Sequence, residues 1–122
     1  MISLFDLFVI LIVHWFADFV LQTDWQAKNK SKNLKALTLH VSAYSVVWFI
    51  VSMLYIQQGG NLNFYWLAPI TFICHFITDY FTSRLNSKLL AKDDIHNFFV
   101  SVGFDQVLHY TQLILTIYFI GK

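Results

Sequence analysis

From Ala36 to Ile56 the chain carries no Asp, Lys or Arg. About 20 residues is what an α-helix needs to cross the hydrocarbon core of a bilayer. In lipid every backbone polar group must bond internally, which leaves helices and closed barrels, and this run is far longer than a barrel strand. Three other segments read in the same way, so the expected spans are roughly 2–21, 34–56, 62–81 and 95–120. Hydrophobic residues make up 57% and charged residues 12% of the chain, where a soluble domain carries about 25% charged. One Pro and four Gly leave little turn chemistry for a β-rich fold. The expectation is all-α: residues 1–122 as one integral membrane domain, a four-helix transmembrane bundle. The opening "MISLFDLFVILIV" has no basic region ahead of its apolar run and no small-residue cleavage pattern after it. It reads as a retained span, not a signal peptide.

Charge orients the spans. Seven of the eight basic residues lie in two connections: Lys28, Lys30, Lys32 and Lys35 after the first span, Arg84, Lys88 and Lys92 after the third. The turn "QQGGN" has none, and the C-terminus has only Lys122. By the positive-inside rule both long connections are cytoplasmic and both termini extracytoplasmic, in the cell (inner) membrane. Asp93 and Asp94 read as N-caps of the last helix, and "LNSKLLAK" as a short amphipathic segment at the interface. A net charge of +1 with no basic, aromatic-interleaved patch argues against nucleic acid. The expected partners are membrane lipids, with room for a homo-oligomer. Cys74 is the single cysteine, so no internal disulfide or cysteine-based zinc site forms.

The spans are not uniformly apolar. His14 and Asp18, His75 and Asp79, and Asp105 and His109 each stand four residues apart, and His40 lies in the second span with Tyr44 four residues on. That spacing puts both groups on one helix face. Five His and seven Asp scattered over 122 positions would give roughly 0.6 such pairs by chance. All seven groups sit toward the cytoplasmic ends of their spans and converge, on this reading, in one polar chamber. His14 and Asp18 map onto His75 and Asp79 with a constant shift, which suggests two repeated helical hairpins related by an axis along the membrane normal.

An aspartate at mid-membrane costs roughly 2.5–3.5 kcal/mol on the insertion scale. Interhelical hydrogen bonds return only about 0.6 kcal/mol each, too little for pure structural glue. Imidazole and carboxylate are the ligand set of zinc, manganese or iron, and inward-facing ligands on several bundle helices are one way to hold such ions. Seven candidates, His14, Asp18, His40, His75, Asp79, Asp105 and His109, exceed what one zinc needs and suit a two-metal site. A proton or ion path is the third reading, but stretches such as "LFVILIV" and "LILTIYFI" leave the outer halves of the spans without a conduit.

"HWFADFVLQTDW", the "LHV" of the second span, "HFITDY" and "DQVLHY" resemble the domain-of-unknown-function 3307 family of small bacterial and phage membrane proteins, along nearly the whole chain. More distantly, the H-x-x-x-D pairs resemble membrane-bound metal-dependent hydrolases of the YdjM type and the all-helical zinc phospholipase C/P1 nuclease fold. These resemblances imply His14, Asp18, His75 and Asp79 as metal ligands, with Asp105, His109 and His40 beside them. The chain has no Glu and so lacks the H-x-x-x-E pair of the soluble zinc enzymes.

The expected function is a membrane-embedded, metal-binding protein, with zinc first and manganese second. It would act as a metal-dependent hydrolase on a phosphoester or lipid head group at the cytoplasmic leaflet. Asp18, Asp79 and Asp105 are the candidate catalytic carboxylates, and Gln22, Lys28 and Arg84 the candidate substrate contacts. The alternative is a non-enzymatic membrane protein, an ion or proton conductor or an interaction subunit, whose His/Asp cluster is structural or handles protons.

Overall fold

The computed structural model describes residues 2–122, and among them every regular element is helical. Helix α1 (Leu4–Trp15) opens on a capping box: the Ser3 hydroxyl accepts from the Asp6 N–H, and the Asp6 carboxylate accepts from the Ser3 N–H. The helix does not run straight to Leu21. Phe16–Val20 is a π-helical turn, and the wider turn leaves Ala17 and Asp18 facing inward at 1% and 5% exposure. Such turns inside helices are rare and concentrate at functional sites.

The first connection holds a short helix, α2 (Asp24–Asn29), capped by Thr23 and Gln26 in a second capping box. Helix α3 (Leu34–Gln57) starts at the Asn33 cap. It ends in a Schellman motif: Gly60 N–H donates to Tyr55 C=O and Gly59 N–H to Ile56 C=O, both at 3.0 Å, with Gly59 at φ 87°. A 3₁₀ turn (Leu62–Trp66) leads into α4 (Leu67–Ala91). Pro69 falls in the first turn of α4, where a missing N–H is no loss.

Helix α4 does not stop at Phe81. Residues 82–91 contain no Gly or Pro, and the stretch expected to be a separate interfacial segment continues the same helix. A second Schellman motif closes it: Asp94 N–H donates to Leu89 C=O and Asp93 N–H to Leu90 C=O, with Asp93 left-handed at φ 56°. Of the two aspartates expected to be N-caps, Asp94 caps α5 (Ile95–Ile120) through the Asn97 N–H, whereas Asp93 ends α4.

Helix α4 packs against both α3 and α5, α1 against α5, and the π-helical turn and α2 against α3. Chain ends and the α3–α4 turn share one end of the bundle, where Ile2, Asp6, Tyr55, Phe64, Gly121 and Lys122 line a cavity of about 510 Å³. An apolar cluster including Ile10, Tyr44, Trp48, Leu67 and Leu113 fills that half.

The other half has a polar interior. Among the described residues, eleven buried residues are apolar and eleven are polar or charged. The large apolar side chains stand outward, with Phe5, Phe81, Phe99 and Phe119 each more than 60% exposed. One helix, α3, is long and apolar enough to cross a bilayer by length and composition. Helix α1 is cut to 12 residues by the π-helical turn, and α4 and α5 carry His, Asp, Gln and Thr along their lengths.

Candidate metal centre

Each element brings one or two groups to the polar half. His14 comes from the last turn of α1 and Asp18 from the π-helical turn; His40 lies on α3, His75 and Asp79 on α4, Asp105 and His109 on α5. All seven are at most 8% exposed. The three i,i+4 pairs share faces as their spacing requires, with N–O distances of 3.6 Å (His14–Asp18), 3.4 Å (His75–Asp79) and 3.3 Å (His109–Asp105).

Four ligand atoms converge most tightly. His40 Nε2 lies 3.0 Å from Asp18 Oδ1 and 3.3 Å from Asp79 Oδ2. His75 Nε2 lies 3.4 Å from each of the same two oxygens. The two ring nitrogens face each other at 3.3 Å. Two N–H groups cannot point at one another, so one nitrogen presents a lone pair or a cation sits between them. A tetrahedral ion with bonds of about 2.0–2.1 Å separates its ligands by about 3.3–3.4 Å, close to the five distances here.

A second set adjoins it. Asp18, Asp105 and His109 also bring ligand atoms within 4.8 Å of one another, so Asp18 belongs to both groups. Asp79 faces both as well, with Oδ2 toward His40 and His75 and Oδ1 3.1 Å from His109 Nε2. Either set could hold a metal ion. The pairing also recurs along the chain: Asp18 meets His40 of α3, and Asp79 meets His109 of α5.

The chain belongs to the DUF3307 family. Its family model, described as a protein of unknown function, matches residues 7–122. No curated protein and no solved structure matches the chain.

In this DUF3307 chain, surrounding groups orient the side chains of the cluster. His14 stands beside the two sets with both nitrogens engaged, Nδ1 2.6 Å from the Tyr44 hydroxyl and Nε2 2.7 Å from Gln106 Oε1. Gln106 Nε2 reaches Asp18 and Asp105 at 3.3 and 3.1 Å, and the Thr82 hydroxyl donates to Asp105 Oδ1 at 2.6 Å. His75 Nδ1 has no partner; the ring is held instead between Tyr44 and His109, with centroids 4.0 and 4.1 Å away.

The residue that sequence reasoning misplaced is Lys30. The sequence places it with the exposed basic residues of the first connection, yet its ammonium donates to Asp79 Oδ2 at 2.8 Å with the side chain 19% exposed. Burial works against its charge, but the carboxylates of Asp79 and Asp18 outweigh that and raise its pKa above the ordinary lysine value. No spacing rule marks a loop lysine that folds inward. Tyr44 did carry a signal, standing one turn after His40.

Of the expected substrate contacts, Gln22 lines a cavity of about 290 Å³ that reaches Asp18 and Asp105. Lys28 and Arg84 do not line it. Lys28 is exposed on α2. Arg84 is turned back on its own helix, bonded to Tyr80 C=O at 2.7 Å and lying 3.6 Å over the Tyr80 ring.

Proposed function

We propose that this chain is a multi-pass membrane protein that holds one or two divalent ions, zinc first and manganese second, and hydrolyses a phosphoester at the cytoplasmic face. The observation that carries the reading is the four-atom set of Asp18, His40, His75 and Asp79, whose N–O and N–N distances run from 3.0 to 3.4 Å. Those five separations match ligand–ligand edges expected around a tetrahedral zinc ion, and the four residues come from three separate elements. Four crossing helices, an inner-membrane location and outward termini are supported by the apolar exterior around a polar interior and by the basic residues in the two connections.

A bound divalent ion supplies hydroxide at neutral pH and polarises a phosphoryl oxygen. Asp18 and Asp79 hold the site, each serving both groups. Asp105, oriented by Thr82 and lining the cavity, would take the proton released by the attacking water if one ion is bound and would be a ligand if two are. Metal analysis of detergent-purified protein tests the reading. The expected result is about one or two zinc or manganese ions per chain, lost in His75→Ala, with phosphodiesterase turnover abolished in Asp79→Asn while the fold persists. A fully folded protein without metal would overturn it.

The Lys30–Asp79 pair favours a second reading, because it gives the cluster a cation without any metal. There the network sets helix registry or handles protons in a non-enzymatic protein. Asp79→Asn would then alter stability or assembly and leave any turnover intact.

A further inference from the structure

The 290 Å³ cavity lies between α2, the C-terminal turns of α4 and the start of α5, and Asp18 and Asp105 line it. Three of its lining side chains carry a buried polar atom with no partner among the described residues: Gln22 Oε1, Ser83 Oγ and Asn86 Oδ1. Ser83 is only 6% exposed. Buried polar groups are nearly always paired, and leaving one unpaired costs about 1–3 kcal/mol. For the two amides the O and N positions are interchangeable, so each leaves a polar atom bare whichever way it is turned. Three such atoms in one cavity next to the candidate metal centre give a polar ligand three hydrogen-bonding partners.

The lining limits the ligand's chemistry. Among the described residues Lys30 is the cavity's one cation, and Asp18 and Asp105 line the same space, so a bare anion would meet net negative charge. A quaternary ammonium would want an aromatic cage, and the wall offers Phe19 and Phe98 among hydroxyl and amide groups instead. Hydroxyl groups, which both donate and accept, fit Ser83, Asn86 and Gln22 together. The volume is at the small end of ligand pockets, about 300 Å³, enough for a head group and not for acyl chains. We infer that this cavity is the subsite for the polyol part of a phosphoester, a glycerol- or sugar-type head group. The assignment of the ligand as a reactant rests on the hydrolase reading; the binding site itself does not.

The test is calorimetry on detergent-purified protein, with and without added zinc, using sn-glycerol 3-phosphate, phosphocholine and inorganic phosphate as probes. Glycerol 3-phosphate should bind at least about tenfold more tightly than the other two. Ser83→Ala and Asn86→Ala should each weaken it about three- to tenfold, and Ser83→Leu, which fills the cavity, should abolish it, all with unchanged zinc content and helicity. Asn86 is partly exposed, so its variant reads binding even if changes at Ser83 disturb folding. Equal affinity for the three probes, no binding by folded protein, or affinity indifferent to both alanine variants would overturn the subsite. Zinc bound without glycerol 3-phosphate sinks the subsite and spares the metal centre. Glycerol 3-phosphate bound through Ser83 and Asn86 without zinc sinks the hydrolase and spares the subsite. Competition by phosphatidylglycerol in mixed micelles assigns the head group to a lipid; competition by soluble polyol phosphates alone assigns it to a free metabolite. Both support the cavity.

Discussion

Asp79 is the residue on which the two readings of the cluster meet. Its Oδ2 receives the Lys30 ammonium at 2.8 Å and also faces His40 and His75. An ammonium and a divalent ion placed at that oxygen compensate the same charge, so each should make the other less necessary. Lys30→Met should therefore destabilise the chelated protein by about 3 kcal/mol. That is the low end for breaking a buried pair, because the lysine is one-fifth exposed. Zinc should restore most of the loss. Unfolding in mixed detergent, with EDTA against zinc, measures both; equal losses in the two conditions would favour the structural network. Tyr44→Phe tests a group beside the cluster. The Tyr44 hydroxyl, fully buried on α3, meets His14 Nδ1 at 2.6 Å. Stranding that nitrogen should cost about 1 kcal/mol, between the soluble and membrane values, with metal content unchanged. If metal falls in proportion, Tyr44 orients the site rather than merely tying α1 to α3.

Element ends show where local chemistry sets the fold. Gly59 holds the left-handed C′ position of α3 at φ 87°. With open space around its missing Cβ, Gly59→Ala tests backbone conformation alone and should cost about 1–2 kcal/mol in thermal unfolding. Asp93 occupies the same position in α4 at φ 56°; Asp93→Gly should relieve strain there and raise the midpoint, an unchanged midpoint arguing against the motif. Its neighbour Asp94 caps α5, and its bonds to the Asn97 side chain and N–H hold its pKa below the usual carboxylate value. A depressed folded-state pKa gives stability that is complete above the unfolded value and lost as pH falls through the folded one. Stability should thus fall as pH drops below about 4, and Asp94→Asn should flatten that part of the profile. Helical periodicity made the i,i+4 pairs legible in sequence because both partners lie on one rigid turn. The π-helical turn at Phe16–Val20 was not legible, since no residue type commands it. Nor was the run of α4 past Phe81: polar residues end a span without ending a helix. The inward fold of Lys30 depends on contacts with α4 that only the assembled bundle creates.

At the scale of the whole molecule the distribution of polarity is the reverse of a soluble domain's. Among the described residues equal numbers of polar and apolar residues are buried, while rows of Phe, Leu and Ile face outward on every long helix. In water that exterior would be one continuous exposed patch, far beyond the few hundred Å² monomers tolerate. In lipid it is the expected surface, and the buried carboxylates need their partners more, not less. The two ends also differ in kind. One gathers the chain ends and the uncharged α3–α4 turn; the other gathers Gln22, Lys30, Ser87 and Leu90 around the polar cavity, beside most of the basic residues. For a bundle that spans the membrane, the positive-inside rule predicts that the cavity and the candidate metal centre face the cytoplasm. Single cysteines in a Cys74→Ala background test this. Lys32→Cys should resist a membrane-impermeant maleimide in intact spheroplasts and react after lysis, whereas Gln58→Cys should react in intact cells. The opposite labelling would turn the bundle over and move the cavity, and any phosphoester it takes, to the outer face. Labelling of both sites in intact cells would mean the chain does not span the membrane, and the apolar exterior would then have to be covered by protein.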